Sequence, residues 1–202
     1  MKQRIQKELS GPGLPLAAFC VALNLSAGQL AAAVKLPLYL DSIGTILSAV
    51  LVGPWVGSLV GILSNVLAAG LGNPTLLFFT PVMVAIGSFS ALAGRLGLFA
   101  TRYSCVLGGI LQGLLCAAVS APIAAFVFGG TMLAGTDALV IFFRSIGNNI
   151  LQSVFYQGLS SDPIDKTISY LIVYALLHRL PERIINRFPN SPRLSKRMPL
   201  DD

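Results

Sequence analysis

Long apolar runs fill most of this chain, and glycine, proline and a few charged residues divide them into segments. From residue 36 to residue 94 the sequence contains one charged residue, Asp41, in a stretch long enough to cross a bilayer more than twice. A hydrocarbon core of about 30 Å requires about 20 apolar residues in a helix. The pattern therefore predicts an all-α integral membrane protein.

The boundaries of the runs predict the individual helices. Apolar helices are predicted over residues 14–34, 41–52, 56–71, 76–96, 104–128 and 164–180. Residues 138–159 are ambiguous, because this stretch is apolar enough to enter the membrane but also carries Arg144 and several amides. The sequence Ser160-Ser161-Asp162-Pro163 resembles a helix start with proline in the first turn. We therefore expect 138–159 to be a re-entrant or surface helix within a long loop.

The distribution of charge predicts the orientation in the membrane. The chain has a net charge of +6, and most of its basic residues lie at the two ends and around a loop between Arg95 and Arg102. Cytoplasmic segments carry the excess of lysine and arginine, so these three regions should share one side of the membrane. Six spans satisfy this condition, and seven are the alternative. The expected organisation is a cytoplasmic segment 1–13, a single helical membrane domain 14–180 and a basic cytoplasmic tail 181–202, in a multi-pass protein of the cell membrane.

Composition also restricts the classes of function. The chain is 54% hydrophobic and 11% charged, whereas soluble domains carry about 25% charged residues. It contains neither a glycine-rich phosphate loop with its lysine nor a catalytic set of residues, and its three cysteines lack metal-ligand spacing. We therefore expect no enzymatic activity, no metal, no cofactor and no nucleic-acid partner; any ATPase must be another subunit.

Polar residues near the ends of the apolar segments are candidate ligand contacts. Asp41 opens the second segment, either as a helix cap or as a contact to a ligand. Asp165 begins the last segment beside Lys166, either as an interfacial charge pair or as a ligand contact. A further polar set is predicted to share one helical face, either in water or as the wall of a pocket. Its members are Arg144, Asn148, Asn149, Gln152 and Tyr156.

Small residues recur at a spacing of four. Ala18 and Ala22 form such a pair in the first segment, and Gly57 and Gly61 form another in the third. Small residues at this spacing let helix backbones approach closely in lipid. The pairs can serve packing within the chain or docking onto a partner membrane subunit.

Residues 36–67 have the sequence LPLYLDSIGTILSAVLVGPWVGSLVGILSNVL. This run resembles the second and third helices of the substrate-binding S components of energy-coupling factor (ECF) transporters. The shared features are a proline-centred start, a short helix, the Gly53-Pro54 turn and a glycine-spaced helix with Gly57 and Gly61. Over residues 14–185 the order of the other features also agrees, except that the loop 129–161 is long.

The resemblance implies a six-helix protein that binds a vitamin or related small polar micronutrient at its outer face. Its partners would be a transmembrane coupling subunit and two ABC ATPases, and Ala18 and Ala22 match the alanine face that docks onto the coupling subunit. Substrate would lie under loops 35–41, 73–75 and 129–166, which adds Tyr39 and Asn73 to the candidate contacts. The alternatives are a self-sufficient small channel or secondary permease and, from a third class, a membrane-embedded enzyme.

Overall fold

A computed structural model describes residues 8, 11–132 and 135–190, and these residues form helices, turns and loops without a β-strand. The helices, numbered along the described chain, are α1 (Gly13–Ala33), α2 (Ile43–Leu51), α3 (Pro54–Gly70), a 3₁₀ helix (Pro74–Phe79), α4 (Thr80–Leu96), α5 (Arg102–Phe128), α6 (Asp137–Ser145), α7 (Ile150–Arg179) and α8 (Glu182–Ile185). The prediction of an all-α protein is therefore confirmed for the described residues.

Three stretches of helix are long and apolar enough to cross a membrane. They are Gly13–Ala33, Pro74–Leu96 and Arg102–Phe128. Large apolar side chains also cover the outside of the bundle; Leu30 is 67% exposed and Phe126 is 78% exposed. A soluble protein rarely leaves such a continuous apolar surface in water, whereas lipid is a suitable solvent for it. The chain is thus a membrane-embedded protein.

Helix α2 is too short to cross the membrane alone. Its nine residues are all buried, and they rise about 14 Å, less than half of a hydrocarbon core of about 30 Å. The helix packs tightly on α1, because a Cβ added to Gly44 would lie 2.0 Å from the carbonyl oxygen of Cys20. The connection before α2 therefore enters the bundle and brings Asp41 against Gly28, five residues before the end of α1.

Helices α5 and α7 form a closely packed antiparallel pair. A Cβ on Gly113 would lie 2.3 Å from the Cα of Pro163, and one on Gly109 would lie 2.5 Å from the Cα of Thr167. Helix α7 is 30 residues long and continues through Pro163. The predicted helix start at 160–163 is therefore wrong. Proline inside a helix removes one backbone hydrogen bond, but here the proline lies where α5 presents glycine and the two backbones pack.

The prediction of one helix over 138–159 is also wrong. Helix α6 ends at Ser145, Gly147 has a φ of 97° in the left-handed region, and α7 begins at Ile150. The Asn149 side chain accepts from the backbone N–H of Gln152 at 2.9 Å, and the Gln152 side chain accepts from the backbone N–H of Asn149 at 3.1 Å. This reciprocal capping starts α7, so 150–159 belongs to the long helix.

The start of the predicted tail is part of the folded core. Ile185 and Phe188 are buried, and Asn190 donates from its backbone N–H to the Leu51 carbonyl at 3.2 Å and from its side chain to the Val50 carbonyl at 3.3 Å. These bonds pair carbonyls that the end of α2 leaves free. Residues 1–7, 9–10 and 191–202, which carry many of the basic residues behind the predicted orientation, lie outside the described residues.

Candidate binding cavity

A cavity of about 730 Å³ lies beside the N-terminal end of α2. Its walls come from α1, the connection 34–42, α3, the connection 71–73, the 3₁₀ helix, α4, α5, residues 132, 135 and 136 before α6, and α7. The cavity exists because α2 is short and begins inside the bundle, so the space beyond its first turn is not filled by helix. Sites for small organic molecules typically measure about 300–1,000 Å³, and this volume falls within that range.

The lining of the cavity is apolar on some walls and polar on others. The apolar side chains include Leu25, Phe79, Val82, Met83 and Ile86. The polar side chains include Asn24, Ser64, Asn65, Thr136, Asp162 and Lys166. Cavities with apolar walls and a few placed polar groups bind molecules that combine an apolar body with hydrogen-bonding groups.

Lys166 is the centre of a buried charged cluster at one wall. Its ammonium donates to the Asp165 carboxylate and to Ser42 Oγ, at 2.9 Å for the serine, and lies 3.8 Å from Asp41 Oδ1. Lys166 is 4% exposed and Asp165 is fully buried. The pair is therefore an interior feature of the bundle, and it lies in the middle of α7 rather than at the start of a helix.

Asp165 holds the connection before α2 in place. Its Oδ1 accepts from the backbone N–H groups of Tyr39 at 3.1 Å and Leu40 at 2.8 Å. Leu40 has a φ of 51°, a left-handed conformation that is costly for a bulky residue. Because Asp165 lies behind this connection and does not line the cavity, its contacts are those of a positioning residue.

Asp41 and Asp162 are the two carboxylates that line the cavity. Asp41 does not cap α2, because Ser42 is the N-cap residue and the helix begins at Ile43. Within the described residues, Asp41 Oδ1 has no hydrogen-bond donor. Asp162 is 4% exposed, and the hydrogen bond described for its carboxylate comes from the neighbouring Ser161 Oγ at a long 3.4 Å.

Tyr39 contributes a neutral phenol to the same end of the cavity. Its hydroxyl lies 3.0 Å from Thr136 Oγ1, within hydrogen-bonding distance. A phenol hydroxyl can both donate and accept a hydrogen bond.

Asn24 joins three helices at the cavity. Its side-chain amide donates to Thr45 Oγ1 at 2.9 Å and to Ser64 Oγ at 3.0 Å, and its Oδ1 accepts from the backbone N–H of Gly44 at 2.7 Å. Asn24 was not among the site residues predicted from the sequence. A buried amide in an apolar helix is a signal that could have identified it.

The predicted site residues fall into two groups in the structure. Tyr39, Asp41 and Asn73 line the cavity, and Asp165 lies directly behind it. The others, which do not line the cavity, are Arg144, Asn148, Asn149, Gln152 and Tyr156. This second set was predicted to share one helical face, but its members are divided between α6 and α7, and the Asn149–Gln152 pair caps α7.

The two small-residue pairs have different surroundings. Gly57 and Gly61 are buried within the bundle, and a Cβ on Gly57 would lie 2.4 Å from the Cβ of Ala49. Ala18 and Ala22 are exposed on the outer face of α1, whereas Ala17 on the same helix faces the core. The glycine pair therefore serves packing within the chain, and the alanine pair is accessible to a partner.

No protein-family model, curated protein or solved structure matches this chain. Within the part of the chain that the structure describes, there is also no group of three or more side chains suited to a metal ion. The cavity and its residues are therefore the starting point for a functional conclusion.

Proposed function

We propose that this protein captures a small polar organic molecule in the cavity and serves as the substrate-specificity subunit of an ECF-type importer. The observation that carries the proposal is the cavity of about 730 Å³ inside a membrane-embedded helix bundle. A vitamin or related micronutrient is the expected ligand class.

The proposed topology has six crossings in the cell membrane. They are α1, α2 with the connection before it, α3, the 3₁₀ helix with α4, α5, and α7. In this arrangement the cavity opens to the outer face, and the loop between Arg95 and Arg102 lies in the cytoplasm with both chain ends. The short α2 supports the arrangement, because it leaves space at one side of the membrane for a ligand.

The proposal requires partners that supply energy. The sequence lacks a nucleotide-binding loop, so a transmembrane coupling subunit and two ABC ATPases would provide ATP hydrolysis. The exposed alanine pair, Ala18 and Ala22, supports docking on α1, since small residues allow a partner helix to approach closely.

Mass spectrometry of small molecules released from gently purified protein tests capture. We expect a single organic compound from the wild type, and much less of it from Ala68→Trp, because Ala68 lines the cavity and an indole there takes up part of the space that a ligand needs. Leu67→Trp is the matched control, since Leu67 is 48% exposed and lies outside the lining. The proposal is wrong if folded wild-type protein releases no compound, or if Ala68→Trp releases the same amount.

A secondary permease is the second candidate, favoured by the buried charges of Asp41, Asp162, Asp165 and Lys166. Ionisable residues inside a membrane protein often serve ion-coupled transport. The two candidates differ in their need for a partner. Purified protein reconstituted alone in vesicles should take up the co-purified compound along a proton gradient if it is a permease, and should not do so if it is a specificity subunit.

A further inference from the structure

The charges at the cavity wall do not balance. Three carboxylates, those of Asp41, Asp162 and Asp165, lie in the cluster with one ammonium, that of Lys166. Lys166 contacts Asp165 directly, and Asp165 also accepts two backbone hydrogen bonds. The ammonium is therefore closest to the carboxylate that does not line the cavity, and its one positive charge is shared among three acids.

The carboxylates that do line the cavity have few partners. Asp41 Oδ1 lies 3.8 Å from the Lys166 ammonium and has no hydrogen-bond donor in the described part of the chain. Asp162 is 4% exposed, and the two ion pairs found for Lys166 in the described residues do not include it. Burying a carboxylate without donors or a counter-charge is costly.

Other positive groups at the cavity do not offset Asp162. Lys35 also lines the cavity, but its side chain is exposed, so water screens its charge. The N-terminal end of α2 carries a partial positive charge, but it lies beside Ser42 and Asp41. The carboxylate of Asp162 thus lines the cavity without a direct ion pair in the described residues, and the Lys166 charge that acts on it is shared with Asp41 and Asp165.

We infer that the cavity takes a small organic cation, whose protonated nitrogen lies against Asp162 and Asp41. This inference rests on the proposed function and specifies its ligand. The apolar side chains of Phe79, Val82, Met83 and Ile86 form a separate wall of the same cavity. The expected ligand therefore combines an apolar, ring-sized body with an amine- or amidinium-like group. A charged donor of this kind supplies both the missing counter-charge and the missing hydrogen bonds.

Three probes of nearly equal shape test the charge of the ligand: benzamidinium, neutral benzamide and anionic benzoate. Equilibrium dialysis of the full-length protein, freed of co-purified compounds by prior dialysis, gives a dissociation constant for each. Since a hydrogen bond to a charged group contributes about 1.5–3 kcal/mol, we expect benzamidinium to bind about tenfold or more tightly than benzamide. Benzoate should bind most weakly.

Substitutions of the two carboxylates test whether they cause the preference for benzamidinium over benzamide. Asp162→Asn keeps the shape of the side chain and removes its charge, so the preference for benzamidinium over benzamide should disappear. Asp41→Asn should reduce the same preference, and it serves as a second test if Asp162→Asn does not fold. Glu182→Gln, which removes an exposed acid in α8, should leave the preference unchanged.

Three results overturn the inference: benzamide or benzoate binds as tightly as benzamidinium, Asp162→Asn keeps the full preference, or none of the probes binds. The inference about ligand charge can fail while the proposed capture function holds. In that case a neutral or anionic compound co-purifies with the wild type and is lost from Ala68→Trp. If no compound co-purifies and no probe binds, the proposed capture function fails as well.

Discussion

The carboxylate of Asp165 accepts a 2.8 Å hydrogen bond from the backbone N–H of Leu40, which joins α7 to the connection that precedes α2. The same oxygen accepts from the Tyr39 N–H at 3.1 Å. Strained backbone conformations such as the φ of 51° at Leu40 cost about 1–3 kcal/mol and persist where the surroundings hold them. Asp165 thus fixes the segment that forms one wall of the cavity.

Replacing Asp165 by asparagine should destabilise the bundle. The change removes the carboxylate that the Lys166 ammonium contacts most closely and leaves Asp41, 3.8 Å away, as its ion pair in the described residues. Removing one partner of a buried ion pair costs up to about 3–5 kcal/mol. Thermal unfolding in detergent should show a clearly lower midpoint for Asp165→Asn than for the wild type. Glu182→Gln is the control, because it removes the same charge from an exposed site. An unchanged midpoint for Asp165→Asn would contradict the positioning role.

The contact between α5 and α7 predicts a contrast between two glycines. Gly113→Ala should lower the unfolding midpoint, because the added Cβ would lie 2.3 Å from the Cα of Pro163 and the helices must separate. Gly70→Ala is the matched control in α3, since nothing lies within 4 Å of its added Cβ. Alanine is a better helix former than glycine by about 1 kcal/mol, so Gly70→Ala should be neutral or stabilising. Equal effects of the two changes would argue against the close helix contact.

Two adjacent isoleucines test whether the segment after α7 belongs to the fold. Ile185 is 3% exposed and Ile184 is 42% exposed. Ile185→Ala should cost about 2–5 kcal/mol, the usual range for this truncation in a core, and Ile184→Ala should cost much less. The difference in unfolding midpoint between the two variants is the measurement. A segment that only lies on the membrane surface would give similar small effects for both.

If α1 docks onto the partner, substitutions on its exposed face should impair assembly with the partner subunits but leave ligand binding intact. Ala18→Trp and Ala22→Trp should keep the co-purifying compound but lose the coupling subunit and ATPases when the chain is isolated from native membranes, because a large side chain blocks close approach. Leu107→Trp on the exposed face of α5 is the control and should keep both. If the two alanine variants still bring down the coupling subunit and ATPases, the partner does not use this face.

The membrane class and most helix positions could be predicted from the sequence, because long apolar runs and glycine-proline breaks leave few alternatives. The helix boundaries around Pro163 could not be predicted. The Ser-Asp-Pro pattern is a local signal for a helix start, and it was overridden by packing against Gly113, which is distant in sequence. Conversely, the Gly147 turn and the Asn149 cap are local, but an apolar run continues across them and hides the break.

The cavity was only partly predictable. Asp41 was selected as an acid at the start of an apolar segment, and Tyr39 and Asn73 from loops that the resemblance places over the substrate. The structure puts all three on the lining. Asn24 and Ser64 lie inside apolar helices, and nothing in their local sequence shows that they face each other across α1 and α3. The polar residues between 144 and 156 looked like a pocket wall because helical spacing was assumed across a turn.

Native mass spectrometry of the intact chain, released from detergent micelles, shows whether the cavity holds a ligand. We expect a main species with the mass of the 21.3 kDa chain plus one small organic molecule, and loss of that added mass in Ala68→Trp but not in Leu67→Trp. Bare chain alone from wild-type protein shown to be folded, or an added mass that Ala68→Trp retains, would contradict capture in this cavity.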